Sequence, residues 1–235
     1  MVIKVCGMRD AENIREVERL GIDMMGFICW PRSPRYVGEV PAYLPKCPRV
    51  GVFVNPSLDE IQKRMEAFDF SYIQLHGSES PEFCKEVREK TGCKVIKAIS
   101  IDPPTPFRGS NGQEVRDWSM VVRALKARLG AKVSKNGQWS MYEGCADLFL
   151  FDTKCESFGG SGKQFSWDIL SDYRGALPFL LSGGIGPEDT ERLNTFHHPK
   201  CLGFDINSRF EIEPGIKDIK AIQDFKSSFA KANLK

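Results

Sequence analysis

Short runs of apolar residues recur along the chain, and each run is followed by turn residues and a segment with helical periodicity. The runs are rich in Val, Ile, Leu and Phe and do not alternate with polar residues. Such runs are typical of strands that are buried on both faces of a parallel sheet. The pattern predicts eight strands, at residues 3–5, 24–28, 50–54, 71–75, 95–98, 148–151, 179–181 and 203–206.

Amphipathic segments between these runs predict helices, for example at residues 11–20, 58–65, 81–88 and 187–193. The last begins with Pro187 and places Glu188 and Asp189 in its first turn, as helices often do. Eight strand–helix units in 235 residues predict a single (β/α)₈ TIM barrel of class α/β that spans residues 1–235. An open doubly wound sheet is the alternative. The eight units, and the lack of G-x-G-x-x-G after the first strand, favour the barrel.

The connection between the fifth and sixth strands departs from this rhythm. Residues 100–145 are polar, with three prolines between 103 and 106. Apolar residues from Val115 to Leu129 recur at helical spacing and predict a fifth helix with additional chain on both sides. Asn136-Gly137 could turn a hairpin. We expect an extended surface connection, with an interaction surface as the other interpretation.

Composition excludes several classes of function. With 33 basic and 31 acidic residues the net charge is +2, which provides no electrostatic footprint for nucleic acid. No apolar run reaches the roughly 18 residues of a membrane span, and the N-terminus has no secretory pattern. We therefore expect a cytoplasmic protein without a nucleic-acid or membrane partner. The eight cysteines form no C-x-x-C pair, so they indicate no zinc site and most should act as small buried hydrophobes.

Reactive and polar residues are concentrated where the predicted strands end. Active sites of (β/α)₈ barrels lie at the carboxyl ends of the strands. The residues there are Cys6-Gly7, Cys29, Gln74 to Gly77, Asp152 to Lys154, Ser182 to Gly184, and Asp205 to Ser208. A purely structural barrel would not need these groups. Gly7 is expected to let the backbone turn directly after the Cys6 thiol.

Two glycine-rich loops follow the sixth and seventh strands. "FGGSGKQF" at residues 158–165 is not a nucleotide P-loop, because Ser157 and Gln164 replace required residues. Its residues Gly160, Ser161 and Gly162 can still bring backbone N–H groups close to an anion. "LSGGIGPED" contributes Gly183 and Gly184 and leads into a helix N-terminus, which favours phosphate. The other interpretation is that these glycines only form tight turns.

Three side chains are candidates for chemistry or substrate binding. Asp152 ends the apolar run "LFLFD", where a carboxyl group can stay protonated more readily than in water. It is therefore a candidate general acid, or else a cap for nearby backbone. Asp205 has similar surroundings and competes for the role. Arg35, in the loop "WPRSPRYV", can hold a carboxylate in two parallel bonds, although most exposed arginines are only solvated.

Taken together and in order, these strand ends resemble the phosphoribosylanthranilate isomerase family, (β/α)₈ barrels of tryptophan biosynthesis. The stretches that carry the resemblance run from Lys4 to Asp218, apart from the connection between strands five and six. They are "KVCGMRD", "MGFICWPRSPRYV", "RVGVFVN", "IQLHG", "VIKAIS", "LFDTK", "GGSGKQFSW", "LSGGIGPED" and "FDINSRFEIEPGIKD". The resemblance implies an Amadori rearrangement of a phosphorylated substrate, with no metal or redox cofactor, in a monomer or homodimer.

The resemblance also implies the role of each residue. Cys6 would be the general base, Asp152 the general acid, and Arg35 the contact for the anthranilate carboxylate. Further substrate contacts would come from Gln74, His76, Gly160, Ser161, Gly162, Gly183, Gly184, Asp205, Asn207 and Ser208. The chain departs from the family pattern at Arg209, where glycine is usual, at Gly186, where asparagine is common, and in the long 100–145 segment.

Three other functions stay open at this point. A related isomerase of histidine biosynthesis performs the same rearrangement, but its base is an aspartate where this chain has Cys6. A phosphate-binding lyase or aldolase would need a Schiff-base lysine, for which Lys97 is the candidate. A barrel that binds phosphate esters without catalysis would tolerate changes at Cys6 and Asp152.

Overall fold

The computed structural model describes residues 1–101, 107–108, 114–115, 138–153 and 167–232. Its eight central strands are parallel and form a closed barrel, as the sequence predicts. In chain order the barrel strands are β1 (Val2–Cys6), β2 (Met24–Ile28), β3 (Arg49–Phe53), β4 (Tyr72–Leu75), β5 (Lys94–Ile101), β8 (Leu148–Thr153), β9 (Phe179–Leu181) and β10 (Cys201–Ile206).

Helices pack outside the barrel. They are α1 (Ala11–Arg19), α2 (Leu58–Phe68), α3 (Pro81–Thr91), α4 (Thr190–Thr195) and α5 (Ile219–Ala232), with 3₁₀ turns at Gln138–Tyr142, Trp167–Asp172, Pro187–Asp189 and Ser208–Phe210. Local capping explains where several of them begin. Ser57 and Glu60 form a reciprocal capping box on α2, and Ser80 caps α3 just before a proline. None of the described helices combines the length and apolar character needed to cross a bilayer.

Two short hairpins interrupt the barrel pattern. Strands β6 (Phe107–Arg108) and β7 (Glu114–Val115) pair antiparallel in the connection after β5. The prediction that Val115 belongs to a helix was therefore wrong, and the rest of that helix and Asn136-Gly137 lie outside the described residues. Gln138–Tyr142 forms a 3₁₀ turn rather than the second arm of a hairpin. After β10, β11 (Glu211–Glu213) pairs with β12 (Ile216–Lys217), a hairpin that the sequence did not predict.

The strand–helix alternation also fails between β2 and β3. Residues 29–48 are fully described there and contain turns and bends but no helix. Five prolines fall between residues 31 and 48, and proline inside a helix removes a hydrogen bond and clashes with the preceding turn. This stretch is instead a long loop above the barrel, and it carries Arg35.

The barrel interior is filled by side chains from alternate strand positions, with two residues from several of the strands, such as Leu148 and Leu150. Cys6, Met24, Val52, Ile96 and Leu150 belong to this apolar interior cluster, and a larger cluster lies between the strands and the helices. The register that closes the barrel pairs Val2 with Gly203 and Lys4 with Asp205. Because strand side chains alternate, Lys4 and Cys6 on β1 face the same interior.

Candidate active site

A pocket opens at the carboxyl ends of the barrel strands, where the sequence places the chemistry. Cys6, Gln74, His76, Asp152 and Asp205 all line it. They come from the ends of four strands. Cys6 and Asp205 are 199 positions apart in the sequence, and the closed barrel brings them together. Gly183, Gly184, Asn207 and Ser208 line the same pocket. Gly160, Ser161 and Gly162 lie outside the described residues.

The Cys6 thiol is buried at the end of β1, with 4% of its surface exposed. Burial raises the pKa of the thiol because it disfavours the charged form. The positive charges of Lys4 and Lys217 act in the opposite direction and favour the thiolate. Burial at this site therefore disfavours a thiolate, and the charges of Lys4 and Lys217 offset part of that desolvation penalty.

A buried ion pair lies directly below Cys6. Lys4, which is fully buried, donates to Asp205 Oδ1 over 2.7 Å, and Ser182 donates its hydroxyl to Asp205 Oδ2 over 3.2 Å. Burial opposes the charged form of Lys4, but Asp205 and Cys6 outweigh it and raise the Lys4 pKa above its ordinary value. Both oxygens of Asp205 are thus engaged by donors, which is a poor arrangement for a general acid.

Asp152 lies across the pocket from Cys6 and has a different environment. Its side chain is 25% exposed and bonds to His76, with 3.1 Å between His76 Nε2 and Asp152 Oδ2. The other ring nitrogen, Nδ1, lies 2.9 Å from Nε2 of Gln74. Asp152 pairs with Ser100 of β5 in the strand register, which fixes its backbone at the rim of the barrel.

Arg35 lies beside the pocket in a buried network that the sequence did not reveal. Its Nε and Nη2 atoms donate to both carboxylate oxygens of Glu211 over 2.7–2.9 Å. Lys217 donates to Glu211 over 2.7 Å and to Asn207 Oδ1 over 2.7 Å. Burial opposes the charged form of Glu211, but the hydrogen bonds and charges of Arg35 and Lys217 hold its pKa below the ordinary value.

The sequence analysis did not select Lys4, Glu211 or Lys217 as site residues, and the three differ in how much signal the sequence carries for them. Lys4 carries a signal, because a charged residue two positions before Cys6 on an apolar strand must face the same interior. Glu211 and Lys217 carry a partial one: Pro214-Gly215 between them marks a turn, but their contacts depend on where the unpredicted β11–β12 hairpin packs. Glu211 lies 176 positions from its partner Arg35. No local spacing indicates such a contact.

Gly7 forms the turn after Cys6, as the sequence predicts. Its φ is +79°, in the left-handed region that side chains disfavour. A Cβ atom there would lie 2.8 Å from Arg35 Cδ and 2.8 Å from Asn207 Oδ1. The glycine is thus required both by its backbone conformation and by the close approach of the Arg35 network.

The loops after β9 and β10 form one rim of the pocket. Gly183 and Gly184 both have positive φ values, +89° and +71°. Arg209 forms an ion pair with Glu188, which links the two loops. A Cβ atom at Gly186 would lie 2.5 Å from Arg209 Nε. Gly186 and Arg209, the two positions in these loops that the resemblance singles out, therefore lie next to each other.

Lys97 is held by three acceptors. Its ammonium donates to Glu79 Oε2 over 2.7 Å, to the Gly77 carbonyl over 2.7 Å and to the Leu75 carbonyl over 3.2 Å. The side chain is 3% exposed and its counter-ion Glu79 2%. A Schiff-base lysine needs a free amine beside the substrate. The buried ion pair instead makes Lys97 a structural tie between β5 and the loop after β4.

Comparison with known proteins places this geometry in a family. The family model described as N-(5'phosphoribosyl)anthranilate (PRA) isomerase matches residues 3–107 and 111–228. The chain belongs to this isomerase family. Curated family members include the N-(5'-phosphoribosyl)anthranilate isomerase of Parabacteroides distasonis, 42% identical over 234 residues and covering 96% of this chain and 91% of the relative. The isomerase of Phocaeicola vulgatus is 43% identical and covers 96% of both chains.

Solved structures of isomerases from this family have the same fold. The enzyme from Thermus thermophilus matches with a TM-score of 0.72 at 26% identity, covering 98% of this chain and 99% of that one. A structure in complex with reduced 1-(o-carboxyphenylamino)-1-deoxyribulose 5-phosphate matches with a TM-score of 0.63 at 25% identity, covering 98% and 100%. The family and the fold expected from the sequence are therefore confirmed.

Proposed function

We propose that this chain converts N-(5′-phosphoribosyl)anthranilate into 1-(2-carboxyphenylamino)-1-deoxyribulose 5-phosphate in tryptophan biosynthesis, by general acid–base catalysis. The observation that carries the proposal is the family match along residues 3–107 and 111–228. The pocket supports it, because a thiol and a carboxyl group from opposite parts of the barrel face the same space.

The reaction needs one acid and one base. Protonation of the ring oxygen by Asp152 opens the ribose ring to an iminium ion. Cys6 as thiolate then removes the proton on C2 to give an enolamine. In the last step C1 gains a proton and the C2 hydroxyl loses one, which yields the ketone. Protons gained and lost by the substrate balance, as an isomerisation requires.

The environments of the two carboxyl groups support Asp152 rather than Asp205 as the acid. Asp205 is 6% exposed and accepts a hydrogen bond at each oxygen, from Lys4 and from Ser182, so neither oxygen is directed at a substrate. Asp152 is partly exposed, lines the pocket and bonds to an imidazole. We therefore assign the ring proton to Asp152, and to Asp205 the task of holding Lys4 beneath Cys6.

Substrate binding would use the two ends of the pocket. The loops of Gly183, Gly184 and Ser208 are our candidates for the phosphate, together with the Gly160–Gly162 loop predicted from the sequence. Arg35 stays the proposed contact for the anthranilate carboxylate. Since Glu211 occupies its Nε and Nη2, that contact would use the Nη1 end of the guanidinium. The cytoplasmic location and the monomeric or homodimeric state stay predictions.

A fluorescence assay tests the proposed reaction. Purified protein is added to freshly made phosphoribosylanthranilate, and the decay of anthranilate fluorescence is followed with indoleglycerol phosphate synthase present to remove the product. We expect decay well above spontaneous hydrolysis. We also expect Cys6→Ser and Asp152→Asn each to lower kcat by at least about 10², the low end for loss of acid–base catalysis.

Matched controls are Cys47→Ser, in the loop before β3, and Asp59→Asn on the exposed face of α2. Both should retain full turnover. No acceleration by the wild type, with binding of phosphate esters intact, would instead favour a barrel that binds without catalysis. Near-normal kcat in either active-site variant would remove that residue from its assigned role.

A further inference from the structure

Three side chains form a hydrogen-bonded series along one wall of the pocket. Gln74 lies in β4, and His76 follows directly after that strand. Asp152 is the last residue but one of β8. His76 Nδ1 is 2.9 Å from the Gln74 amide, and His76 Nε2 is 3.1 Å from Asp152. The imidazole therefore touches the proposed acid with one nitrogen and a buried amide with the other.

Gln74 has one amide atom to spare. The side chain is 1% exposed, and with Nε2 directed at His76 its oxygen Oε1 is buried without a hydrogen-bond partner in the described part of the chain. The two ends of an amide have nearly the same shape, so their assignment follows from the hydrogen-bond network. Turning the amide places Oε1 against His76 Nδ1. The oxygen then accepts a hydrogen bond from Nδ1–H, and the NH₂ group takes the buried position that Oε1 held.

The orientation of the amide decides what the imidazole can do for Asp152. If Gln74 donates to Nδ1, the neutral ring carries its proton on Nε2 and can only donate to an ionised Asp152. If Gln74 accepts from Nδ1, then Nε2 is the nitrogen that gains and loses a proton. Only the second arrangement allows one proton to be shared between Nε2 and the carboxyl group.

We propose that His76 is a positioning residue that shares its Nε2 proton with Asp152, and that the Gln74 carbonyl holds the imidazole in the Nδ1–H form that makes this exchange possible. This inference rests on the proposed function. An aspartate in water is ionised at neutral pH, so a general acid of this type needs a partner that keeps a proton available.

The protons exchanged in the proposed reaction balance when His76 and Asp152 are counted as one pair. At the start one proton lies between His76 Nε2 and Asp152 Oδ2. Asp152 delivers it to the ring oxygen and is left as a carboxylate beside a neutral imidazole. Cys6 takes the C2 proton and gives it to C1, and the proton released by the C2 hydroxyl restores the shared proton. No external oxidant, reductant or co-reactant is needed.

Nitrogen NMR of the histidine rings tests the arrangement directly. The chain has three histidines, so a ¹⁵N-histidine sample gives three sets of ring signals. We expect His76 to keep a proton on Nδ1 from pH 6 to pH 8, and Asp152→Asn to shift its Nε2 signal. His197 and His198 serve as internal controls; His198 bonds to the Tyr173 carbonyl, away from the pocket. Their unchanged signals would show that the variant is folded.

A variant at Gln74 tests the role of the amide. Gln74→Met keeps a similar length and removes both amide atoms, so His76 should populate the Nε2–H form as well. Two NMR results would overturn the proposal: a wild-type His76 whose Nδ1 carries no proton when the ring is neutral, or an Nε2 signal that does not respond to Asp152→Asn. These results do not depend on turnover, so they stand even if the proposed reaction fails.

Kinetics separates proton sharing from simple substrate contact. We expect His76→Asn to lower kcat at least about tenfold, below the full 10²–10⁴ range of acid–base catalysis because Asp152 remains, with little change in KM. In the Asp152→Asn background, His76→Asn should cause no further loss, because groups that act as one unit are not additive. An equal loss in both backgrounds, or an effect mainly on KM, would show that His76 acts independently. His197→Asn, at an exposed position, is the matched control.

Discussion

The base side and the open rim of the pocket hold their charges in opposite ways. On the base side, around Cys6, the side chains of the ion pairs Lys4–Asp205, Arg35–Glu211 and Lys217–Glu211 are at most 8% exposed. On the open rim, the His76–Asp152 pair is 23% and 25% exposed, and the Arg209–Glu188 pair is 38% and 55% exposed. Charges beside the proposed base are therefore sealed from water, whereas those of the acid and the glycine loops are not.

This difference matches what each side must do. The base side contains three cations, Lys4, Arg35 and Lys217, and two carboxylates, Asp205 and Glu211, among the described residues. The extra positive charge is buried, which is costly, and burial accordingly lowers the pKa of Lys217 although Glu211 and Cys6 act in the opposite direction. A thiolate at Cys6 or the carboxylate of the substrate would balance it. Under the proposed site assignments, the rim would in contrast deliver a proton and admit a phosphorylated sugar, both of which need access from the solvent.

Removing the shared carboxylate of the base side should have the largest effect. Glu211→Gln leaves the buried cations Arg35 and Lys217 without a counter-ion, and breaking a buried ion pair in this way costs about 3–5 kcal/mol. We expect the free energy of unfolding, measured with urea, to fall by that amount. The control is Glu213→Gln, on the exposed part of the same short strand, which should be neutral.

The pH dependence gives this prediction a sign. The pKa of Glu211 is lower in the folded protein than its ordinary value, so its stabilising contribution is present above the ordinary glutamate range. It is lost as the pH falls through the lowered pKa. The gap in unfolding free energy between wild type and Glu211→Gln should therefore narrow in acid. A gap that stays constant, or no destabilisation at neutral pH, would contradict a charged buried cluster.

Removing the charge of Lys4 tests whether that charge favours the thiolate form of Cys6. Lys4→Gln keeps a donor for Asp205 but removes one of the two cations that oppose the burial-raised pKa of Cys6. A one-unit rise in that pKa would slow alkylation by iodoacetamide about tenfold at pH 8. The rate is followed by mass spectrometry of the peptide that contains Cys6. Because the proposed base, Cys6, must be deprotonated, we expect kcat/KM to rise with pH. In Lys4→Gln this rise should occur at a higher pH than in the wild type.

The control for Lys4 is another lysine on a barrel strand. Lys94→Gln lies at the exposed start of β5 and should leave both the alkylation rate and the pH profile unchanged. Equal alkylation of Cys6 in Lys4→Gln and wild type would mean that Lys4 serves only to hold Asp205. The base side would then be a structural feature rather than an electrostatic one.

The sequence predicted the barrel and the ends of its strands because both follow from local pattern. Runs of apolar residues place β2 and β9 with their observed bounds, and position along the chain places Cys6 and Asp152 at the pocket. It failed where a contact depends on distant segments. β5 continues through Ser100 and Ile101 because β8 pairs with them, which their own sequence does not indicate. Arg35 meets Glu211 only through the β11–β12 hairpin. Pro214-Gly215 signals its turn, but nothing in the sequence indicates that the hairpin packs against Arg35.

The smallest effect is expected at the open rim, where Arg209 and Gly186 meet. The ion pair of Arg209 with Glu188 is exposed, so Arg209→Gly should change the unfolding free energy by less than about 1 kcal/mol. Gly186→Asn alone should cost about 1 kcal/mol, at the low end for overpacking. A Cβ atom there would lie 2.5 Å from both Arg209 Nε and Glu188 Oε2, but these are the ends of flexible, partly exposed side chains that can shift as a pair.

The double variant decides whether the two residues depend on each other. If Gly186 is needed only to make room for Arg209, most of the cost of Gly186→Asn should disappear when Arg209 is glycine. Urea midpoints of the wild type, the two single variants and the double variant give this coupling energy directly. Additive costs would mean that Gly186 is required for another reason, such as the approach of substrate phosphate. Strong coupling would instead show that the lack of a side chain at position 186 makes room for the Arg209–Glu188 pair, so that these residues of the open rim depend on one another.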